Sequence, residues 1–235
     1  MSSALRAVAA EFAGTAVLLA TVVGSGIMGA TLSPANPGVA LLANALATAA
    51  VLYVLISLLG PVSGAHFNPA VTIAMWLRGR LAAPRALAYI ATQVVAAIVG
   101  VVLAHAMFEQ ALVQPGLHAR TGMGQWLSEG VATFGLLATI LLAERHRPAQ
   151  VAALVAAWIF AAYWFTASTS FANPAVTLAR SFTQSFAGVR AQDVAAFAAA
   201  QIAGALLAVV VVRALSPESA PQRQKSVAAR TKERA

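Results

Sequence analysis

Two short stretches of the chain decide its fold: residues 63–72 read SGAHFNPAVT, and residues 168–177 read STSFANPAVT. Each contains Asn-Pro, a pair in which the asparagine can cap a helix and the proline fits the first helical position. Each stretch therefore predicts a loop followed by a short helix. Apolar segments long enough to cross a membrane flank both stretches, which are themselves too short to span one.

The composition is that of a membrane protein. The chain has 235 residues, of which 60% are hydrophobic and 9% are charged, whereas a soluble domain carries about a quarter charged residues. This much apolar surface favours the bilayer as solvent. The chain has no cysteine, which excludes disulfides, thiolate metal sites and cysteine nucleophiles.

Six apolar segments have the length of a membrane span, about 20 residues. Prolines and glycines separate them, as expected for loops between helices. The predicted spans are residues 7–29, 38–60, 84–108, 124–143, 149–168 and 193–214. An even number of spans places both termini on one side of the membrane.

The basic residues predict which side that is. With both termini in the cytoplasm, only Arg120, Arg180 and Arg190 lie outside, and the other twelve cations lie inside. The positive-inside rule favours this orientation. The cations inside are Arg6, Arg78, Arg80, Arg85, Arg145, Arg147, Arg213, Arg223, Lys225, Arg230, Lys232 and Arg234.

The two halves of the chain resemble each other, with one repeat at about residues 5–110 and the other at about 122–215. Besides the shared NPAVT, Glu11 in the first span corresponds to Glu129 in the fourth, and Gln93 in the third to Gln201 in the sixth. Three spans per half is an odd number, so the halves must run in opposite directions. Such an inverted repeat is expected to hold its solute path between the halves, near the midplane.

The two Asn-Pro stretches enter from opposite sides and are predicted to meet there. Non-helical backbone at membrane depth persists only where it lines a water-filled cavity or is buried in protein. The sequence therefore predicts one channel domain over residues 1–215. Residues 216–235 are predicted to form a basic, disordered cytoplasmic tail near anionic lipid. Five of the 15 basic residues lie there, and the net charge of +8 does not form the basic face of a nucleic-acid-binding domain.

With two NPA motifs at matching places and paired Glu and Gln positions, the chain resembles the major intrinsic protein family, the aquaporins and aquaglyceroporins. The resemblance covers residues 5–215 and implies an all-α membrane fold of six spanning helices and two re-entrant half-helices. It also implies a homotetramer with one pore in each subunit, conducting small neutral solutes without a cofactor. A bacterial inner membrane is the expected location.

The resemblance implies that both NPA motifs line the pore centre. The side-chain amides of Asn68 and Asn173 are expected to donate hydrogen bonds to solutes, and the positive ends of the two half-helices to disfavour cations. Carbonyl groups just before each motif would accept hydrogen bonds from the solute. The motif residues are Asn68, Pro69, Ala70, Asn173, Pro174 and Ala175.

Five polar residues at membrane depth are candidates for supporting the re-entrant loops. Glu11 and Glu129 are expected to accept hydrogen bonds from loop N–H groups, with proton relay as the alternative. Gln93 and Gln201 either support the same loops or join helices through a hydrogen bond. His66 is either a hydrogen-bonded loop residue or a group that tunes flow with pH.

The narrowest part of the pore differs from the usual family pattern. The position after the second NPA usually holds arginine and here holds Val176. Thr48, Ala161 or its neighbour Ala162, and Ser170 map to the other filter positions, so a wide, weakly polar constriction is expected.

Arg180 follows Val176 by one helical turn. It either faces the outer mouth, or snorkels to the interface or binds backbone carbonyls. An alternative alignment would match Ala179-Arg180-Ser181 to the usual Ala-Arg-Ser. The symmetry between Val176 and Val71 argues against it.

Valine after the motif, with threonine on the second helix, resembles the aquaglyceroporins of bacterial arsenic-resistance clusters. The expected solutes are water, glycerol, urea-like molecules and neutral trivalent metalloid hydroxides such as arsenite or methylated arsenite. A mainly water-selective aquaporin and, in another class, a coupled secondary transporter are the alternatives. No catalytic triad, metal-ligand spacing or phosphate-binding loop is present, so an enzyme is not expected.

Overall fold

The computed structural model describes residues 1–215, and these residues form an all-helical bundle. Six of its helices are long and apolar enough to cross a membrane, which confirms the predicted fold class. Two more are short, and each begins at an Asn-Pro pair. The helices are α1 Ser3–Leu32, α2 Pro37–Ser63, α3 Pro69–Leu77, α4 Ala83–Met107, α5 Met123–His146, α6 Val151–Phe165, α7 Pro174–Ala179 and α8 Val194–Leu215. The predicted tail, residues 216–235, lies outside the described residues.

The fifth and sixth predicted spans each begin with a 3₁₀ turn. Pro148–Gln150 precedes α6, and Ala191–Asp193 precedes α8. Helix α1 extends beyond the predicted span at both ends, and it begins directly after the capping residue Ser2, whose side chain accepts a hydrogen bond from Leu5 N. The predicted spans otherwise agree with the observed ones to within a few residues.

Small residues hold the two long helix pairs at very short range. A Cβ atom built on Gly100 would lie 2.3 Å from the carbonyl oxygen of Ala16, where α4 packs on α1. At the corresponding crossing of α8 and α5, a Cβ atom on Gly204 would lie 2.2 Å from the carbonyl oxygen of Gly130. Close backbone approach through small residues is how helices associate in lipid. Both halves of the repeat therefore share the same kind of crossing.

The short helices α3 and α7 start inside the bundle, each from an asparagine cap. Asn68 Oδ1 accepts a hydrogen bond from Ala70 N at 2.8 Å, and Asn173 Oδ1 accepts one from Ala175 N at 3.0 Å. A proline occupies the first helical position in each, where no N–H is needed. Helix α7 ends at Ala179 and continues as a 3₁₀ turn over Arg180–Phe182.

Candidate solute pathway

The two asparagine side chains bind the opposite loop as well as their own helix. Asn68 Nδ2 donates to the carbonyl oxygen of Ala172 at 2.8 Å, and Asn173 Nδ2 donates to that of Phe67 at 2.8 Å. An amide nitrogen has two N–H groups, so each asparagine has a second N–H besides the one that binds the opposite loop. Both asparagines line the same cavity.

The loop before α3 is held by the buried carboxylate of Glu11. The carboxylate accepts hydrogen bonds from two backbone N–H groups and two side chains, all from the first half of the chain. Its donors are Ser63 Oγ at 2.7 Å, His66 N at 2.9 Å, Phe67 N at 2.7 Å and Gln93 Nε2 at 2.8 Å. Glu11 therefore contacts the loop and Gln93, and these bonds fix the loop to α1 and α4.

Glu129 repeats this arrangement in the second half. Its donors are Ser168 Oγ at 2.5 Å, Phe171 N at 2.9 Å, Ala172 N at 2.8 Å and Gln201 Nε2 at 2.6 Å. Both carboxylates are fully buried, and four donors replace the water that each would otherwise bind. The geometry is that of a loop anchor in both halves.

These anchors hold backbone conformations that side chains rarely adopt. Ala65 and Phe67 have φ values of 50° and 48°, and the matching Ser170 and Ala172 have 51° and 48°. Left-handed backbone at non-glycine residues costs energy and persists only where surrounding contacts enforce it. In each loop the bonds to the glutamate provide that enforcement, and the carbonyls of Phe67 and Ala172 meet the asparagines as a result.

Gln93 and Gln201 join the anchors to the half-helices. Gln93 Nε2 donates to Thr72 Oγ1 at 3.0 Å, and Gln201 Nε2 donates to Thr177 Oγ1 at 2.7 Å. His66 Nδ1 lies 3.1 Å from the same Thr72 hydroxyl. The imidazole of His66 therefore has a hydrogen-bond partner within its own half, and its ring packs edge-on against Tyr89.

The two loops differ in what binds their first carbonyl. Tyr89 Oη donates to the carbonyl oxygen of Ser63 at 2.9 Å. At the matching place in the second half, Arg120 Nη1 donates to the carbonyl oxygen of Ser168 at 3.1 Å. Sequence reasoning missed Arg120, because it lies in the long loop before α5, where no periodic pattern indicates its position. Burial lowers the pKa of Arg120.

A cavity of about 460 Å³ runs between the two halves. One end lies beside Arg80, Arg85 and Glu144, and the other beside Phe171 and Arg180. Apolar side chains form much of its wall between the mouths. They include Leu18, Val22, Leu52, Ile56, Val71, Leu136, Ile140, Val155 and Ile159. The asparagine pair lies along this path.

Three of the four filter positions that the sequence analysis named line the cavity. Thr48, Ser170 and Val176 do so, and each is buried. The Ser170 hydroxyl has no hydrogen-bond partner among the described residues. A hydroxyl in this position can donate to or accept from a passing solute.

The prediction for Ala161 was wrong. Ala161 is exposed on the outer face of α6, in line with Ala157 and Trp164, and its neighbour Ala162 is buried without lining the cavity. Tyr163 lines the cavity instead, and its hydroxyl donates to Thr48 Oγ1 at 3.3 Å. Ala161 was assigned by its distance along the chain from the second motif. That distance does not fix which face of α6 a residue lies on.

That register was readable from the sequence. Val151, Val155, Ile159 and Tyr163 repeat at four-residue intervals, which places them on one face of a helix, and all four line the cavity. The cavity wall thus contains one aromatic side chain bonded to Thr48, and it leaves less room than alanine at this position would.

Arg180 lies at the end of the cavity opposite Arg80 and Arg85 and is 2% exposed. Its guanidinium carbon lies 3.4 Å from the centroid of the Phe171 ring, and its Nε donates to the carbonyl oxygen of Ala187. The side chain therefore binds a backbone carbonyl and lines the path, so the two alternatives from the sequence coexist.

Within residues 1–215, no group of three histidine or acidic side chains could hold a metal ion. The carboxylates of Glu11 and Glu129 are both occupied by N–H and O–H donors. What the site offers is a narrow path with amide, hydroxyl and carbonyl groups along an otherwise apolar wall. Such a path can exchange hydrogen bonds with small uncharged molecules.

The model of the family described as major intrinsic protein matches residues 1–168. The aquaglyceroporin AqpS of Rhizobium meliloti (strain 1021) is 50% identical over 92% of this chain and 97% of its own length. A probable aquaporin, TIP5-1 of Oryza sativa subsp. japonica, is 32% identical over 93% of this chain and 88% of its own.

A solved structure shares the fold at much lower sequence identity. The aquaglyceroporin of Plasmodium falciparum superposes with a TM-score of 0.68 at 16% identity, covering 89% of this chain and 95% of that one. Fold and site together define an integral membrane channel for small neutral solutes, not an enzyme. The chain belongs to the major intrinsic protein family.

Proposed function

We propose that residues 1–215 form one channel domain that lets water, glycerol, urea-like solutes and neutral trivalent metalloid hydroxides equilibrate across a bacterial inner membrane. The observation that carries this proposal is the cavity in which Val176 stands beside Thr48 and Tyr163. Valine leaves more room than arginine and presents no charge, so a solute larger than water meets less obstruction.

Polar groups at two depths support passage of hydroxylated solutes. The free N–H groups of Asn68 and Asn173 donate near the middle, and the unpartnered hydroxyl of Ser170 exchanges hydrogen bonds further out. Apolar side chains form much of the cavity wall, which suits the carbon backbone of a polyol. Glycerol and arsenous acid both combine several hydroxyl groups with no net charge, and the 50% identical relative bears the name aquaglyceroporin.

Both termini are proposed to be cytoplasmic, because most cations of the described chain lie near one end of the bundle. Arg80 and Arg85 lie at the cavity mouth opposite Arg180.

A homotetramer is proposed because the spanning helices expose many large apolar side chains, such as Leu46, Leu58 and Leu87. Lipid and neighbouring subunits would share that surface.

Stopped-flow light scattering on proteoliposomes tests the solute range. Water, glycerol, urea and arsenous acid are compared with empty liposomes and with Val176→Trp, in which an indole fills the constriction. The expected result is rapid flux of all four solutes in the wild type and slow flux in Val176→Trp. High water flux with glycerol and arsenous acid traces equal to those of empty liposomes would identify a water-selective channel instead.

Accumulation of solute distinguishes a secondary transporter from a channel. A channel brings labelled glycerol to equal concentrations on both sides whatever ion gradient is imposed. Uptake above the external concentration, driven by a proton or sodium gradient, would overturn the channel proposal.

Native mass spectrometry of the detergent-solubilised protein tests the tetramer.

A further inference from the structure

Arg180 carries a hydrogen-bonding group that nothing in the described protein uses. Its Nη1 atom is buried and has no hydrogen-bond partner among residues 1–215. The side chain as a whole is 2% exposed and lines one end of the cavity. A buried polar group without a partner is rare in proteins and calls for an explanation. A solute oxygen at the outer entrance is a partner of the right chemistry.

The guanidinium is held in place by contacts that leave Nη1 free. Nε donates to the carbonyl oxygen of Ala187, and the guanidinium carbon lies 3.4 Å from the Phe171 ring centroid. Phe171 is itself fixed, since its N–H donates to Glu129 and its ring packs edge-on against Phe197. The charge therefore has a defined position at the mouth.

A second cation strengthens the field at this point. The guanidinium carbon of Arg120 lies 4.9 Å from the same Phe171 centroid. The side chain of Arg120 is occupied by the carbonyl groups of Gly188 and Ser168, and it does not line the cavity. The two guanidinium groups share a low-dielectric region in which charges act more strongly than in water.

We infer that Arg180 is the specificity-determining residue of the outer entrance: it excludes cations and donates a hydrogen bond to an oxygen of the neutral solute. The inference rests on the proposed channel function. Val176 is uncharged and supplies no electrostatic barrier to cations. The inference assigns that barrier to Arg180, one helical turn away. Cations are repelled before they reach Val176, while uncharged solutes gain a donor at the entrance.

Sodium leak into proteoliposomes, read with an internal sodium-sensitive dye, tests the inference beside water and glycerol flux. Arg180→Gln is expected to raise the leak roughly tenfold or more, because the loss of one charge removes a barrier in a low-dielectric site. Water should still permeate this variant, so that the leak is measured in a conducting channel, although the guanidinium donor to the solute is lost. Arg180→Lys keeps the charge and is expected to leak no more than the wild type.

Rescue distinguishes an electrostatic role from a structural one. In the double variant Arg180→Gln with Val176→Arg, a guanidinium returns to the path one turn further in, and the leak is expected to fall back towards the wild-type level. Arg190→Gln is the matched control. Arg190 is a cation on the same side that pairs with Asp193 and does not line the cavity, so its leak should equal that of the wild type.

Arg180→Met is the second variant in case glutamine disturbs folding, because its unbranched side chain can keep packing on Phe171. A folded, water-conducting Arg180→Gln or Arg180→Met protein with wild-type sodium leak would overturn the inference. A leak that persists in the double variant would also overturn it. Failure of the proposed function would look different, since the wild type itself would then move no water or glycerol.

Discussion

The side-chain nitrogen of Asn68 lies 2.8 Å from the carbonyl oxygen of Ala172, a residue of the opposite half of the chain. The reciprocal pair joins Asn173 to Phe67 at the same distance. Each asparagine therefore caps its own half-helix and at the same time fastens the other half's loop. The solute path and the joint between the repeats are built from the same two side chains.

Replacing Asn68 by aspartate should separate capping from fastening. In Asn68→Asp the carboxylate can still accept from the N–H of Ala70 but cannot donate to Ala172, so a loss of about 1–3 kcal/mol in folding free energy is expected. Water flux should fall as well, because the donor in the path is gone. Thermal unfolding in detergent and stopped-flow scattering measure the two effects. Asn36→Asp is the control, since Asn36 caps the exposed start of α2; an equal loss there would contradict the assignment.

Filling the position after the second motif should narrow the pore selectively. Val176→Arg is expected to lower glycerol and urea flux more than water flux, because the larger side chain occupies the constriction beside Thr48 and Tyr163. Val176→Thr has nearly the same volume and serves as control. Unchanged relative fluxes in a folded Val176→Arg protein, measured by stopped-flow scattering, would count against the placement of the filter.

Tyr163 should limit the solute size that the constriction accepts. Tyr163→Ala removes the ring from the cavity wall and is expected to raise urea and glycerol flux at least about twofold relative to water flux. Tyr163→Phe keeps the ring and loses only the bond to Thr48, so its selectivity should stay near that of the wild type. If both variants behave alike, the hydroxyl rather than the ring sets the limit.

The glutamate anchors should matter more for stability than for chemistry. Glu129→Gln replaces one of two accepting oxygens by a donor that faces N–H groups, and a loss of about 3 kcal/mol in folding free energy is expected. Glu11→Gln should behave similarly, because Glu11 has the same set of donors. Glu109→Gln, at an exposed position after α4, is the control in thermal unfolding. If Glu129→Gln unfolds at the wild-type temperature, the proposal that Glu129 anchors the loop is contradicted.

His118 offers a pH test of the cavity end at Arg180. Partial burial and the guanidinium groups of Arg120 and Arg180 lower the pKa of His118 from its ordinary value near 6.5. Protonation therefore opposes folding, so stability contributed by neutral His118 is complete above pH 6.5 and declines as the pH falls through the lowered pKa. Arg180→Gln removes one of the causes, and the pKa of His118 should rise.

Histidine ring signals in nuclear magnetic resonance spectra of the labelled protein report this pKa. His118→Gln assigns the signal. If Arg180→Gln leaves the pKa of His118 unchanged, the charge of Arg180 does not lie close enough to His118 to affect it.

The sequence predicted the six spans and the inverted repeat because both follow from strong constraints, the thickness of the bilayer and the Asn-Pro helix start. It also placed Glu11 and Glu129 beside the loops, since a carboxylate at membrane depth needs donors and a loop supplies them. Ala161 was misplaced because distance from a motif does not fix the rotation of α6 about its axis. Arg120 was missed because its contacts join residues far apart in the chain.

The two ends of the cavity differ in the donor that binds each loop carbonyl, Tyr89 in one half and Arg120 in the other, and in the charged side chains beside them. A chimaera built from two copies of the first half would retain the helix crossings, the glutamate anchors and the asparagine pair. Its two entrances would be alike, however, because each would carry Tyr89, Arg80 and Arg85 and neither would carry Arg180. The difference between the two ends of this channel thus lies in side chains that the two halves do not share, whereas the helix crossings are the same in both halves.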